Sequence, residues 1–413
     1  MFRIDVEKYE SSIEFVGNIL EWYNFALFMP FLHILSREFF PLENVVHREA
    51  LSFLALSAGL FMRPFGAAIL GPIGDKFGRR RAISISIILM AIPTMCIGLL
   101  PNYNQIGVLA PVLLIILRAM QGISLGGEYT AAMVHLVERA PQNKQGFYGS
   151  LSDAGSQIGV LLGGQSLVFL YSFFSREEIC SFAWRIPFLF AIALIPFAFL
   201  VPNNFSTSKN KSSESIFKSL KTYRKEVVCT VSITAFSAVG FYTLLTFLPY
   251  YLVSSDVLSL KEAAICSVYS TLAMIIFILI GGYFSDLYSK KFFMIFGITG
   301  VSVTICLMFL FRTTSFDQWL ALQLLYGVFL GLYYSSRAAF FSSAFPPHVR
   351  CTAVSISLSL AQAVFGGLTP ITMNHITKIS HFLSVIPIIF ISICAVYALI
   401  VHKENKLNTN VYR

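Results

Sequence analysis

Runs of roughly twenty apolar residues recur along the whole of this chain, and few folds can accommodate them. A run of that length crosses a bilayer as a helix, because a helix satisfies its own backbone polar groups away from water. Hydrophobic residues make up 56% of the chain and charged residues 12%, about half the charge of a soluble protein of this size. That balance excludes a large soluble enzyme. Twelve spans are expected, at 12–35, 50–72, 82–101, 106–129, 147–172, 184–202, 227–252, 262–284, 290–311, 317–341, 351–375 and 381–402. Pro64, Gly66, Pro93, Pro187, Pro196, Pro249, Pro370 and Pro387 fall inside them. Membrane helices tolerate such residues because neighbours satisfy the freed backbone groups.

One charged cluster occurs twice. Gly71, Asp75, Gly78, Arg79 and Arg80 form G-x-x-x-D-x-x-G-R-R, expected as a short turn between two spans. At an offset of 211, Gly282, Asp286, Ser289, Lys290 and Lys291 repeat it, with Ser for Gly and Lys for Arg. A second match, Gln121 to Tyr129 against Tyr326 to Tyr334, has an offset of 205, a drift that short loops absorb. A membrane protein with the same turn in both halves is built from two like halves, an arrangement typical of transporters. The halves are expected at 1–202 and 227–413, joined by a polar linker over 203–226 rich in Ser, Lys and Asn. The linker is read first as a solvated loop, and its basic residues could also touch anionic lipid.

The net charge of +9 would suggest nucleic acid only if its distribution were ignored. Of the 30 Lys and Arg, fifteen fall in even-numbered loops and five at the termini, against seven in odd-numbered loops. The positive-inside rule then places the even loops and both termini in the cytoplasm. The first span is too long for a signal peptide, contains Glu21 and lacks a cleavage site. The seven Cys are scattered singly, so neither a disulfide framework nor a metal site is expected, and no cofactor.

Charges inside the spans point to function, since each costs roughly 2.5–3.5 kcal/mol at the bilayer centre. They are Glu21, Arg63, Arg118, Glu128, Asp153 and Arg337. Arg118 shares a helix face with Gly122, and glycines at 122, 126 and 127 would let another helix approach closely. Arg118 is read either as a member of a structural ion pair or as the cationic partner of a substrate carboxylate. Its repeat mate is Gln323, and that of Glu128 is Tyr333. This asymmetry favours coupling chemistry in the first half and substrate shaping by aromatics in the second. Glu21 and Asn24 share a face of the first span; Glu21 either faces a cavity and exchanges a proton, or snorkels to the interface. Asp153 and Gln157 share a face of span five, where a gate or a helix cap is as good a reading of Asp153 as substrate contact.

The expected substrate and proton pathway is therefore Glu21, Asn24, Arg63, Arg118, Gln121, Glu128, Tyr129, Gln157, Tyr333 and Arg337. The expected cytoplasmic gate is Gly71, Asp75, Gly78, Arg79, Arg80, Asp153, Asp286, Lys290 and Lys291. In it, an Asp beside the positive end of a helix latches the inner side shut.

These residues together resemble the major facilitator superfamily, and the resemblance covers the whole chain. More narrowly, the chain is similar to the metabolite–proton symporters, which include proline/betaine, α-ketoglutarate, citrate and shikimate carriers. The matching stretches include Glu21-Trp22-Tyr23-Asn24-Phe25, Arg63-Pro64-Phe65-Gly66, Gly74 to Arg80, Gly126-Gly127-Glu128-Tyr129, Trp184-Arg185-Ile186-Pro187-Phe188 and Phe345-Pro346 with Arg350. Relatives usually carry Asp where this chain has Asn24, which would leave proton carriage to Glu21 or Glu128. No coiled-coil extension follows the last span, so osmotic sensing by such a tail is not expected. The resemblance implies an all-α membrane protein with twelve transmembrane helices in two pseudo-symmetric six-helix halves. It further implies proton-coupled uptake of a small zwitterion or carboxylate across a bacterial cytoplasmic (inner) membrane, by a monomer. The site is expected near mid-membrane between the halves, with no catalysis and no nucleic-acid partner. An organic-acid symporter is the alternative. A drug–proton antiporter is disfavoured because Gly155-x-x-x-Gly159-Val160-x-x-Gly163-Gly164 lacks that class's proline.

Overall fold

The computed structural model describes residues 15–40, 45–196, 221–310, 315–380 and 382–402. All regular structure among them is helical. The helices are α1 (15–26), α2 (Leu32–Phe39), α3 (Val45–Phe77), α4 (Arg79–Leu99), α5 (Tyr103–Ile106), α6 (Leu109–Arg139), α7 (Gln145–Tyr171), α8 (Arg176–Glu178) and α9 (Arg185–Leu189). They continue with α10 (Arg224–Tyr242), α11 (Leu248–Ser254), α12 (Leu260–Leu287), α13 (Lys290–Leu310), α14 (Phe316–Ala344), α15 (Arg350–Ala361), α16 (Gly367–Ile379) and α17 (Val385–Val401).

Six helical segments among the described residues are long and apolar enough to cross a membrane: Arg81–Leu99, Leu109–Arg139, Arg224–Ser254, Lys261–Leu287, Lys290–Phe309 and Arg350–Thr369. α3, α7 and α14 have the length as well, at 33, 27 and 29 residues, and carry charged side chains discussed below. Burial is inverted relative to a water-soluble protein. On α3 the exposed stripe is Phe61, Phe65 and Ile69, while Arg63 is buried. On α17 the exposed stripe is Ile386, Phe390, Ile393, Tyr397 and Ile400, spaced by three and four. Apolar faces turned outward and polar faces turned inward fit a lipid environment.

Prolines break the helices where the sequence suggested unbroken spans. The span expected over 12–35 stops at residue 26 and resumes at Leu32, with Pro30 in the intervening turn. Pro30 has no N–H for the carbonyl four residues back, and it disfavours helical geometry in the residue before it. In the span expected over 184–202, α9 gives way after five residues to a 3₁₀ segment, Phe190–Leu194. π segments at Thr243–Phe247 and Gln362–Gly366 contain the carbonyls, of Leu245 and Gly366, that Pro249 and Pro370 leave without their usual donor. Pro64 and Pro93, by contrast, lie within continuous helix.

Two compact units emerge. One comprises Met1–Ala132 and Gly155–Lys211, the other Met133–Ala154 and Ser212–Arg413. The hairpin joining α6 to α7 therefore counts with the second-half helices. Within each unit the same close helix crossing occurs. In the first, a Cβ added at Gly122 would lie 2.0 Å from Gly59 O, and one at Gly126 2.2 Å from Arg63 O. In the second, Gly327 stands in the same way 2.2 Å from Ser270 O, and Gly331 2.5 Å from Met274 O. Gly59 and Arg63 map onto Ser270 and Met274 at the offset of 211, and the α6 glycines map onto α14 at 205. The duplication is thus present in backbone contacts as well as in sequence. Gly122→Ala forces backbone against backbone, and overpacking of this kind costs about 1–3 kcal/mol. Purified Gly122→Ala should melt several degrees lower in detergent than the parent. Gly164→Ala, where nothing lies within 4 Å of the added carbon, should not.

The first charged cluster is less of a turn than expected. α3 stays helical through Gly71 and Asp75 to Phe77, and only Gly78 breaks it, at φ 96°. That left-handed geometry suits glycine. The second copy reaches the same end differently. α12 closes at Tyr288 with φ −115°, and Ser289 Oγ accepts from the Phe292 N–H at 3.4 Å, capping α13. Without a positive φ to satisfy, serine serves where the first copy needs glycine.

At the other end of α4, Arg185 donates to Gly98 O and Leu100 O at 2.9 and 2.8 Å, satisfying carbonyls at the helix C-terminus. Trp184 beside it is fully buried, edge-on to Phe39 and Phe188. This accounts physically for the Trp-Arg-Ile-Pro-Phe stretch. Arg185 holds α4, and the aromatics fill a core with Phe28 and Phe31.

Candidate functional site

The first unit has a polar core built largely from one face of α6. Arg118, Gln121 and Ser124 follow one another at three-residue spacing and are all fully buried. Arg118 Nη1 donates to Gln121 Oε1 at 2.7 Å. Gln121 Nε2 donates to Thr94 Oγ1 at 2.6 Å, and Thr94 donates in turn to Met90 O. The chain of donors fixes which end of the Gln121 amide faces Arg118. The guanidinium carbon lies 4.9 Å from the ring centre of Phe25 and 4.4 Å from that of Phe28. Cation–π attraction is strongest where, as here, the charge is withdrawn from water.

α1 brings the carboxyl. Glu21 is fully buried, with Oε1 3.0 Å from Ser124 Oγ, which also lies 2.7 Å from Ser86 O on α4. Its Oε2 has no hydrogen-bond partner among the described residues, and nor do Asn24 Oδ1 and Gln157 Oε1. Buried polar atoms in that condition mark a place for water or a ligand. Asn24 Nδ2 donates to Leu20 O at 2.7 Å. Arg63 from α3 lies over Trp22 at 5.6 Å, and Trp22 meets Phe25 and Tyr129 edge-on. Glu21, Asn24, Arg63, Arg118, Gln121 and Tyr129 therefore belong to one buried unit. The side chain of Glu128 lies outside the described residues.

The second unit holds the other two intramembrane charges, which the sequence assigned to different roles. Arg337 of α14 and Asp153 of α7 form a buried ion pair. Arg337 also donates to Ser237 Oγ at 3.3 Å and lies 4.4 Å over Tyr334. The Tyr333 hydroxyl donates to Ile233 O at 2.8 Å, tying α14 to α10. Nearby, Arg350 Nη1 donates to Glu138 Oε1 at 2.7 Å. Glu138, Thr94, Ser124 and Ser237 were not anticipated. A hydroxyl in an apolar run usually bonds its own helix and leaves no pattern in the sequence.

The second charged cluster acts on the same hairpin. Asp286 accepts from the backbone N–H groups of Gly146 and Phe147 at 2.6 and 2.8 Å. These are amides of the first turn of α7, so the carboxylate sits at the positive end of that helix. Close approach makes this possible, since a Cβ at Gly282 would stand 2.3 Å from Ser150 Oγ and one at Gly146 2.9 Å from Gly282 O. Lys290 Nζ donates to Gln145 Oε1 at 3.3 Å, and Lys291 Nζ to His402 O at 2.6 Å, beyond the C-terminus of α17. In the first copy Gly71 is buried and Asp75 half-buried; the side chains of Arg79 and Arg80 lie outside the described residues. Asp286→Asn weakens two charge-assisted bonds and a helix-end interaction, together about 1–2 kcal/mol. Hydrogen exchange at the Gly146 and Phe147 amides should then accelerate about tenfold or more, and unchanged exchange would count against the capping role.

All-helical units, outward apolar stripes and buried polar cores define a polytopic membrane protein of the transporter class. The sequence profile described as Major Facilitator Superfamily matches residues 15–277 and 230–410, and the chain belongs to that superfamily. A protein of Staphylococcus aureus (strain COL), provisionally named a proline/betaine transporter, is 32% identical over 372 residues, covering 86% of this chain and 79% of its own. The proline/betaine transporter of Escherichia coli (strain K12) is 28% identical over 414 residues, covering 96% and 82%. Among solved structures, the proton:xylose symporter XylE superposes with a TM-score of 0.78 at 17% identity, covering 95% of this chain and 94% of its own, which bears on the fold alone.

Proposed function

We propose that this protein is a secondary active transporter that takes up a small zwitterion or carboxylate of the proline/betaine kind together with a proton. The observation that carries this reading is the juxtaposition, in one buried core, of the oriented Arg118 guanidinium and the Glu21 carboxyl. Arg118 offers a planar donor fork suited to a substrate carboxylate, and Glu21 offers a site for the coupled proton. The names of the relatives support the same solute class. Arg63 in the same core would add charge complementarity for a dicarboxylate, which keeps an α-ketoglutarate-like or citrate-like substrate as the second reading.

The ion pairs and the Asp286 cap on the α6–α7 hairpin would act as the cytoplasmic latch, with Asp75 doing the corresponding work in the first copy. Twelve spans in halves 1–202 and 227–413, the 203–226 linker, cytoplasmic termini, residence in a bacterial inner membrane and a monomeric state complete the proposal. The test is uptake into proteoliposomes of labelled proline, betaine, α-ketoglutarate and citrate, with and without an imposed proton gradient. Accumulation of proline or betaine that rises with an inward proton gradient and collapses with a protonophore is expected. Uptake that follows sodium and ignores pH would overturn the proton assignment, and uptake of citrate or α-ketoglutarate alone would select the second reading.

A further inference from the structure

We propose that Ser124 couples the protonation state of Glu21 to the contact between α6 and α4. The hydroxyl holds Ser86 O while Glu21 carries a proton, and it turns to Glu21 when that proton leaves. The proposal rests on the proton-coupled reading above and deepens it.

A hydroxyl owns one proton and donates one full hydrogen bond. Ser124 Oγ nevertheless lies within bonding distance of two oxygens, Glu21 Oε1 at 3.0 Å and Ser86 O at 2.7 Å. The Ser86 carbonyl can only accept. If Ser124 donates to it, the Ser124 oxygen turns a lone pair towards Glu21 Oε1. That contact is favourable only when Oε1 carries a proton of its own to donate. Glu21 then donates to Ser124, Ser124 donates to Ser86 O, and three helices are joined by two aligned bonds.

When Glu21 loses its proton to water, no other proton moves between residues. Ser124 keeps its own and rotates it towards the new carboxylate, because a charge-assisted bond is the stronger of the two. Ser86 O is then left facing a lone pair at 2.7 Å, and the contact between α4 and α6 must open there. The Gln121–Thr94 bond between the same two helices contains no titrating group and stays closed. Proton release therefore loosens one end of the seam and spares the other.

The charged groups around Glu21 are compatible with such a cycle. Arg63 of α3 lies over Trp22, the residue beside Glu21 in the chain. On α6, Arg118 is stacked on Phe25 and Phe28, and the side chain of Glu128 lies outside the described residues. α4 presents the neutral Ser86, and α7 contributes no titratable side chain between Gly155 and Leu170.

Infrared difference spectra of the full chain in lipid, taken between acidic and alkaline pH, test the hydrogen bond directly. A carboxylic-acid C=O band should appear in the parent and vanish in Glu21→Gln. It should shift in Ser124→Ala and return towards its place in Ser124→Thr. In transport, Ser124→Ala should slow net proton-driven uptake about tenfold, while solute exchange at saturating solute, which needs no proton release, stays within about twofold. A band untouched by Ser124→Ala, or net uptake and exchange that fall together, would overturn the coupling role. Should Ser124→Ala fail to fold, Ser124→Cys decides in its place: a Glu21 C=O band that shifts when the hydroxyl is replaced by the weaker thiol supports the bond, and a band that does not move, or a parent without the band, refutes it. If the bands behave as described while uptake ignores a proton gradient, the Ser124–Glu21 bond stands and the proton-coupled reading falls.

Discussion

Arg118→Lys should abolish nearly all uptake while the protein still reaches the membrane in normal amounts. The substitution keeps the positive charge and removes the planar group. Lysine cannot lie across Phe25 and Phe28 as the guanidinium does, nor meet Gln121 Oε1 with one nitrogen while presenting others to a solute. A desolvated cation–π contact is worth up to about 2 kcal/mol, and a charged hydrogen bond about 1.5–3 kcal/mol. Loss of roughly 3 kcal/mol from a bound or transition state lowers the rate about a hundredfold. Gln121→Ala should have a smaller effect in the same direction, because the guanidinium loses its orienting acceptor and keeps its aromatic bed. Uptake by Arg118→Lys within a few-fold of the parent would return Arg118 to a structural role.

Removing one member of the Asp153–Arg337 pair should be more damaging to the fold than removing both. Asp153→Asn leaves the Arg337 guanidinium buried against Tyr334 and Ser237 without its counter-charge. Breaking a buried pair in this way costs about 3–5 kcal/mol, whereas replacing both partners with neutral groups costs much less. Each single variant should therefore melt far below the parent, and Asp153→Asn combined with Arg337→Gln should recover much of the loss. The cycle is read by thermal unfolding in detergent, with the interaction energy taken as the departure from additivity. Additive effects would mean that the two charges are held independently by other groups.

The membrane class, the helical content and the internal duplication were legible in the residues because they rest on local composition and on periodicity. A twenty-residue apolar run has one means of satisfying its backbone in lipid, whatever surrounds it. The glycines of α6 announced close packing, and the offsets of 211 and 205 recur in the backbones that touch. Helix interruptions were harder to read. Pro64 and Pro30 look alike in sequence, yet one lies in continuous helix and the other in a turn, because neighbouring elements settle whether the orphaned carbonyl is tolerated.

Partnership was beyond the reach of sequence. Asp153 and Arg337 stand 184 positions apart, and nothing in either neighbourhood names the other. Glu138 and Arg350 are 212 apart, and Asp286 reaches backbone amides that have no side-chain signature at all. Ser124 looks like one more small residue on a crowded helix, and only its distances to Glu21 and Ser86 reveal a hydroxyl shared between two acceptors. Hydrophobic pattern acts over one or two helical turns, so a chain carries it openly. Hydrogen bonds and ion pairs act over about 3 Å between segments that meet only once the chain has packed, so only the tertiary structure decides which charge partners which.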